Sequence, residues 1–178
     1  MTEPALEQPR EASPPEDAAS PGPPVGPRKL RLVASVALTV LVADQLTKHW
    51  ALDALAAGPV DVIGSLRFNL LFNTGTAFSM GSGKGLGPWI SVLAIGVVVG
   101  LSLGFTSRFR LGAAAAGLIA GGAVGNLADR AFRGDDGFLG GAVIDFVDLQ
   151  WWPVFNVADA AICVGAALLV LASMRAPS

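Results

Sequence analysis

Four apolar segments of about twenty residues dominate this chain of 178 residues. They run from about 30 to 52, 88 to 106, 111 to 132 and 154 to 174. Each is close to the length at which a helix crosses ~30 Å of hydrocarbon, because a helix rises ~1.5 Å per residue. Inside a bilayer, only helices and closed barrels satisfy their backbone hydrogen bonds. The sequence therefore predicts an all-α membrane protein with four transmembrane helices.

Composition supports a membrane protein and argues against metal or redox chemistry. Apolar residues make up 52% of the chain, charged residues 15%, and the mean hydropathy is +0.57. The single cysteine, Cys163, has no disulfide partner within the chain, and with the single histidine, His49, it does not make a metal site. We therefore expect no metal and no cofactor, and nothing indicates a nucleic-acid partner.

The ends of the chain and the basic residues predict the topology. Residues 1–27 are rich in proline and acidic residues, lack the features of a secretory signal peptide, and are predicted to form a disordered cytoplasmic tail. Residues 28–175 would then form the membrane domain. Short basic stretches lie on one side of the predicted helices: Arg28, Lys29, Arg31, Arg108, Arg110 and Arg175. The positive-inside rule places this side, and both termini, in the cytoplasm.

Two longer connections lie on the opposite, extracytoplasmic side. Residues 58–87 contain two short strand-like runs, 60–63 and 66–72, separated by a glycine and a serine, and predict a small β-sheet. Residues 133–153 begin with several glycines and end in Trp151-Trp152-Pro153. Tryptophan is typical of the membrane interface, so we expect a surface loop or helix there, close to the candidate site.

Charged and amide side chains recur at the extracytoplasmic ends of three predicted helices, although a charge in a membrane helix costs about 2.5–3.5 kcal/mol. Asp44 and Lys48 are four residues apart on one helix face. They form either a self-neutralising pair or a polar surface that orients a substrate.

Two neighbouring stripes of the third apolar segment continue from glycine into polar residues. Gly117, Gly121 and Gly125 lead to Asp129, whereas Gly122 leads to Asn126 and Arg130. Glycine stripes alone indicate close helix packing. Their polar continuation predicts the floor of a polar cavity.

Two further acids follow, and they permit a specific chemistry. Asp145 lies among large apolar residues, and Asp159 lies about one turn inside the fourth predicted helix, where a macrodipole role is the simpler explanation. Two neighbouring carboxylates share one proton, so that one activates water while the other protonates a scissile carbonyl. On these grounds alone, four acids could form the catalytic pair: Asp44, Asp129, Asp145 and Asp159.

Five sequence blocks then resemble the signature of the lipoprotein signal peptidase (type II signal peptidase) family. They are Asp44-Gln-Leu-Thr-Lys48, Asn73-Thr-Gly-Thr-Ala-Phe78, Gly122-Ala-Val-Gly-Asn126-Leu-Ala-Asp-Arg130, Val143-Ile-Asp-Phe146 and Phe155-Asn-Val-Ala-Asp159. They occur in the family's order between about residues 30 and 174.

This resemblance implies an aspartic endopeptidase of the bacterial inner membrane, with its active site near the extracytoplasmic face. It would remove the signal peptide from prolipoproteins, cutting just before a diacylglyceryl-modified cysteine, in contact with membrane lipids. The family's catalytic aspartates correspond to Asp145 and Asp159, with Asp129 as the alternative second acid. Positions that would support the site or bind substrate are Asp44, Lys48, Asn73, Gly75, Asn126, Asp129, Arg130, Asn156 and Ala158.

The chain departs from the family pattern in two connectors. Residues 133–141 form a glycine-rich insertion, and the connector from Asp145 to Asn156 is correspondingly short.

A small membrane transporter of protons or ions is the alternative function, because buried membrane acids also relay protons. That function predicts acids near the bilayer midplane, whereas these acids cluster at the ends of the predicted helices.

Overall fold

Three helices have both of their ends among the residues that the structure describes. The computed structural model describes residues 27–74, 96, 100, 110–134 and 139–174. The helices are α1 (Pro27–Ala54), α2 (Arg110–Phe132) and α3 (Val157–Met174). Both α1 and α2 are long and apolar enough to cross a membrane, and α3 contains a shorter apolar stretch, Val157–Ala172.

Two sequence predictions fall largely outside the described residues. Of the predicted helix at about 88–106, only Gly96 and Gly100 are described, and both are helical. Of the predicted tail, residues 1–27, only Pro27 is described, as the first residue of α1. Among the described residues, two of the four predicted spans, α1 and α2, are therefore long and apolar enough to cross a membrane.

Small residues let α1 and α2 pack closely and in the same direction. A Cβ atom on Gly117 would lie 2.7 Å from the Val36 Cβ, and one on Gly121 would lie 2.5 Å from the Ala37 carbonyl oxygen. Further along, a Cβ on Gly125 would lie 2.5 Å from the Asp44 Oδ2. The glycine stripe thus serves helix packing until it reaches the first buried carboxylate.

The third helix packs against α2 in the opposite direction. A Cβ atom on Gly122 would collide with the Ala158 carbonyl oxygen near the start of α3. Towards the other end, a Cβ on Gly165 would lie 2.7 Å from the Ile119 Cγ1. As a result, the ends of α1 and α2 meet the beginning of α3 at one end of the bundle.

The predicted small sheet is confirmed, and it has one more strand than expected. Strands β1 (Val60–Ile63), β2 (Leu66–Asn73) and β3 (Val143–Asp148) form an antiparallel sheet in the order β1-β2-β3. We expected 143–148 to belong to a surface loop, and that was wrong. Four consecutive residues of β3, from Val143 to Phe146, are buried. The strand therefore lacks the alternation of polar and apolar residues that reveals a half-buried strand.

The sheet rests on the last turns of α1. Ala51 of α1 and Leu55, the residue directly after α1, form a buried cluster with Ile144 and Phe146 of β3. The Trp50 ring also contacts the Phe68 ring edge-on, with centroids 5.3 Å apart. This packing fixes β3, and hence Asp145, beside the end of α1.

The short connector after β3 turns back on the strand. The Val147 amide donates to the Phe155 carbonyl oxygen at 2.8 Å, and the Phe155 amide donates to the Val147 oxygen at 3.0 Å. Because Phe155 is held in this bridge, α3 begins at Val157, later than the expected start at about 154.

We predict that Gly121→Ala lowers the melting temperature of the detergent-solubilised protein. The new Cβ meets backbone of α1, and overpacking of this kind costs about 1–3 kcal/mol. Gly100→Ala is the matched control, because a Cβ at Gly100 has open space. Equal melting temperatures for the two variants would contradict this account of the α1–α2 contact.

Candidate active site

Lys48 is the centre of a buried polar network at the end where the three helices meet. Its side chain is fully buried. The ammonium nitrogen lies 2.8 Å from the Asp44 Oδ2 and 2.7 Å from the Asp129 Oδ2, and it donates to the Asn126 Oδ1 at 3.0 Å. An ammonium group has three protons to donate, so these partners use all of them.

Asp44 and Asp129 are fully buried and use both carboxylate oxygens. The second oxygen of Asp44 accepts the backbone N–H of Ala158 at 2.9 Å, which ties α3 to α1. The second oxygen of Asp129 forms an ion pair with Arg133 at 2.8 Å, and Gln45 donates to the same oxygen at 3.2 Å. Each of these two acids is therefore compensated by at least one cation.

Two asparagines extend the network from Lys48 towards the remaining acids. The Asn126 amide nitrogen donates to the Asp159 Oδ1 at 2.8 Å. The Asn156 amide nitrogen donates to the Asn126 Oδ1 at 3.1 Å and to the Asp145 Oδ1 at 2.7 Å. These carboxamides link Asp145 on the sheet to Asp159 on α3.

Asp145 is buried, and its hydrogen-bond partners among the described residues are neutral. Its side chain is 1% exposed, and its two oxygens accept hydrogen bonds from Asn156 and, at 3.0 Å, from Asn73. Burial raises the pKa of Asp145 to about 6, with a contribution from the charge of Asp159, while the hydrogen bonds from Asn73 and Asn156 oppose the increase. A proton on this carboxyl group is therefore more stable than on an ordinary aspartate.

Asp159 both caps its helix and faces the network. Asn156 precedes α3, and its side-chain Oδ1 accepts the backbone N–H of Asp159 at 2.9 Å. In return, the Asp159 Oδ2 accepts the backbone N–H of Asn156 at 3.3 Å. This is the reciprocal arrangement of a capping box. The helix-end role considered for Asp159 is therefore real, but it occupies only one oxygen, and the other faces Asn126.

An apolar cavity of about 390 Å³ opens beside Asp159. Its other walls include Leu149, Trp151, Trp152, Phe155 and Cys163. Both tryptophans are exposed, at 71% and 59%. The cavity thus joins a polar group of the network to a large apolar surface.

A salt bridge on the sheet fixes the chain that carries these tryptophans. The Arg67 Nε lies 2.7 Å from the Asp148 Oδ2. The hydrogen bond from this guanidinium holds the pKa of Asp148 below its usual value. The other Asp148 oxygen accepts the Gln150 amide at 2.7 Å, and Gln150 has a φ of +67°. Such a turn is uncommon for a residue other than glycine, so Asp148 stabilises the bend that precedes Trp151.

The structure brings most of the predicted site residues together. Asp44, Lys48, Asn73, Asn126, Asp129, Asp145, Asn156, Ala158 and Asp159 all take part in the hydrogen bonds above. Gly75 lies outside the described residues. The Arg130 side chain forms no hydrogen bond or ion pair with another described residue, although its carbonyl oxygen accepts the Gly141 amide at 3.0 Å.

Two residues of the buried polar network were not predicted from the sequence. Gln45 lies within the Asp44–Lys48 block, and Arg133 lies four residues after Asp129, a spacing that itself predicts an ion pair on a helix. The last residue of the glycine-rich insertion needs to be small, because a Cβ on Gly141 would lie 2.7 Å from the Asp129 carbonyl oxygen. The insertion therefore returns against the end of α2.

Comparison with known proteins identifies related sequences. A family model described as signal peptidase (SPase) II matches residues 36–175. A lipoprotein signal peptidase of Mycobacterium tuberculosis is 45% identical over 88% of this chain and 78% of its own length. That of Mycobacterium avium is 47% identical over 83% and 81%, respectively.

A solved bacterial membrane enzyme has a similar fold. The two structures superpose with a TM-score of 0.66 at 25% sequence identity, over 83% of this chain and 96% of the other.

We predict that Lys48→Met destabilises the protein strongly, because it leaves Asp44 without a cation and Asp129 with only Arg133. Removing one partner of a buried ion pair costs about 3–5 kcal/mol. The triple variant Asp44→Asn, Lys48→Met, Asp129→Asn removes the charges together and should recover much of the loss. Thermal melting in detergent measures both, and a single variant as stable as the wild type would show that Lys48 is not the centre of the network.

Proposed function

Because the chain belongs to the signal peptidase II family of membrane proteases, we propose that it is an aspartic endopeptidase that removes signal peptides from prolipoproteins. It would cut just before a cysteine that carries a diacylglyceryl group. The catalytic pair would be Asp145 and Asp159, without a metal or other cofactor.

A difference between two kinds of buried acid carries this proposal. Asp44 and Asp129 are paired with cations, and described partners occupy both carboxylate oxygens of each. Among the described residues, Asp145 and Asp159 receive hydrogen bonds from neutral amides only. Only the second pair can share a proton, which is what general acid–base hydrolysis of a peptide needs.

The raised pKa of Asp145 suggests how the two roles divide. Asp145 would hold the shared proton, and ionised Asp159 would take a proton from the attacking water. Asp145 would then protonate the carbonyl oxygen of the scissile bond as the water oxygen bonds to its carbon. When this intermediate collapses, Asp159 would return its proton to the leaving nitrogen, the C–N bond would break, and Asp145 would take back a proton from a hydroxyl group of the intermediate.

The amide hydrogen bonds hold both carboxyl groups in place for these steps. Asn156 bonds to Asp145 and caps the helix that carries Asp159, so one residue sets both positions. Asn126 connects Asp159 to the Lys48 network. Such preorganisation lowers the cost of reaching the transition state.

The apolar cavity beside Asp159 would receive an apolar part of the substrate next to the scissile bond. Signal peptides are apolar along their central region, which matches its aromatic and aliphatic walls. The Arg67–Asp148 salt bridge would position Trp151 and Trp152 at its rim.

The proposed orientation places the site at the extracytoplasmic face of the bacterial inner membrane. The N-terminal ends of α1 and α2, which run in the same direction, carry Arg28, Lys29, Arg31 and Arg110. By the positive-inside rule this end is cytoplasmic, so the carboxylates lie on the other side. Proton transport finds no support, since the buried acids among the described residues share one end of the molecule.

Asp145→Asn and Asp159→Asn should each reduce cleavage of a diacylglyceryl prolipoprotein by about 10³-fold or more, because each removes one of the two proton transfers. The gel shift of the cleaved product measures this, with melting temperature as the check on folding. Asp129→Asn is the matched comparison and should keep activity in the fraction that stays folded. Activity lost in folded Asp129→Asn but kept in Asp145→Asn would transfer the acid role to Asp129.

Asn73→Ala should move the pH profile of cleavage. If Asp145 acts in its protonated form, kcat/KM falls as pH rises through the pKa of Asp145, about 6 in the free protein. The Asn73 hydrogen bond lowers that pKa, so its removal raises the pKa and the fall should begin at higher pH. Asn69→Ala is the control on the same strand, because Asn69 bonds to Asp148 instead. If kcat/KM instead rises with pH through this pKa, and the rise moves to higher pH in Asn73→Ala, the ionised form would be assigned to Asp145.

A further inference from the structure

A second cavity lies at the opposite end of the bundle from the aspartates. It has a volume of about 650 Å³ and is formed where the first turns of α1 and α2 come together. Its lining residues are Arg28, Lys29, Arg31, Leu32, Ser35 and Arg110.

The charge of this cavity is of one sign. Every ionisable residue that the structure describes in its lining is basic, and the first turns of α1 and α2 contain no acidic residue. Arg31 and Arg110 form no ion pair with another described residue. Two helix N-termini, each with a partial positive charge, add to the field of the side chains. The cavity is therefore suited to an anion.

The position of the cavity identifies the kind of anion. From Arg28 to Lys48 the helix rises over twenty residue steps, about 30 Å, the thickness of the hydrocarbon layer. With the aspartate site at one membrane face, the basic cavity is at the level of the lipid headgroups on the other. Exposed Leu38 and Leu46 continue along α1 from the cavity and offer an apolar surface to acyl chains.

We propose that this cavity binds the phosphate headgroup of an anionic membrane phospholipid. Arg31 of α1 and Arg110 of α2 would hold the phosphate from both helices, and the Ser35 side chain would donate a further hydrogen bond. Basic pockets between membrane helices on the cytoplasmic side recognise such headgroups. The occupant is not the cytoplasmic end of a signal peptide, because that end is positively charged.

This binding is independent of peptide cleavage and joins α1 to α2 at the end that lacks the Lys48 network. At that end the two helices are held by apolar contacts of Val33, Ala113 and Ala116. A lipid phosphate bound by both helices would complete the contact there.

The test is lipid binding by the purified full chain, measured by native mass spectrometry. The protein is incubated with equal amounts of phosphatidylglycerol and phosphatidylcholine that have identical acyl chains. We expect selective retention of phosphatidylglycerol, and a decrease of at least tenfold in its affinity for the Arg31→Gln, Arg110→Gln double variant. The Arg31→Lys, Arg110→Lys variant keeps the charge and should retain most of the binding.

Two controls separate this proposal from the peptidase function and from misfolding. Arg67→Gln removes a cation at the opposite end and should leave lipid binding unchanged. Asp145→Asn should bind phosphatidylglycerol like the wild type even though it does not cleave. The melting temperature of the glutamine double variant without anionic lipid should match that of the wild type.

Several results would overturn the proposal. One is equal retention of the two lipids by the wild type, and another is unchanged affinity in the glutamine double variant. Displacement of the lipid by inorganic phosphate at equal concentration would assign the cavity to a soluble anion. Lipid binding that appears only after Glu3, Glu7, Glu11, Glu16 and Asp17 are neutralised would assign it to the acidic tail of this chain.

Discussion

The organisation of the site depends on one buried ammonium group, that of Lys48. A fully buried charge is costly unless it is paired, and Lys48 is paired with two carboxylates and one amide oxygen. Asp44 also binds the backbone of α3 at Ala158, and Asp129 binds the amide of Ile144 in β3. Through its two acidic partners, this lysine therefore joins α1, α2, β3 and α3.

The same charge separates the acids into two groups. Lys48 forms ion pairs with the acids that touch it, whereas one carboxamide separates it from Asp159 and two separate it from Asp145. Asparagine suits this intermediate position because its carboxamide accepts from the cation and donates to a carboxylate at once. The amide layer holds the two outer carboxylates in place without pairing either of them with a cation, which the proposed sharing of a proton requires.

Much of this could be predicted from local sequence patterns. Segment length and hydropathy predicted α1 and α2, and alternation with a glycine turn predicted β1 and β2. Strand β3 was missed because burial of both faces removes the periodicity that identifies a strand. The late start of α3 was also missed, since it depends on Phe155 pairing with Val147 across the short connector.

By itself, the sequence determined the class of protein, the five blocks of polar residues and the family to which they belong. These follow from composition, helix length and residue order, which are properties of the chain before it folds. Only the tertiary structure decided which acids are neutralised and which are not. That distinction depends on distances of about 3 Å between residues from α1, α2, β3 and α3, up to 114 positions apart in the chain. Four-residue spacing on a helix reports a local pair such as Asp129 and Arg133, but no spacing along the sequence reports that Lys48 contacts Asp129 on another helix.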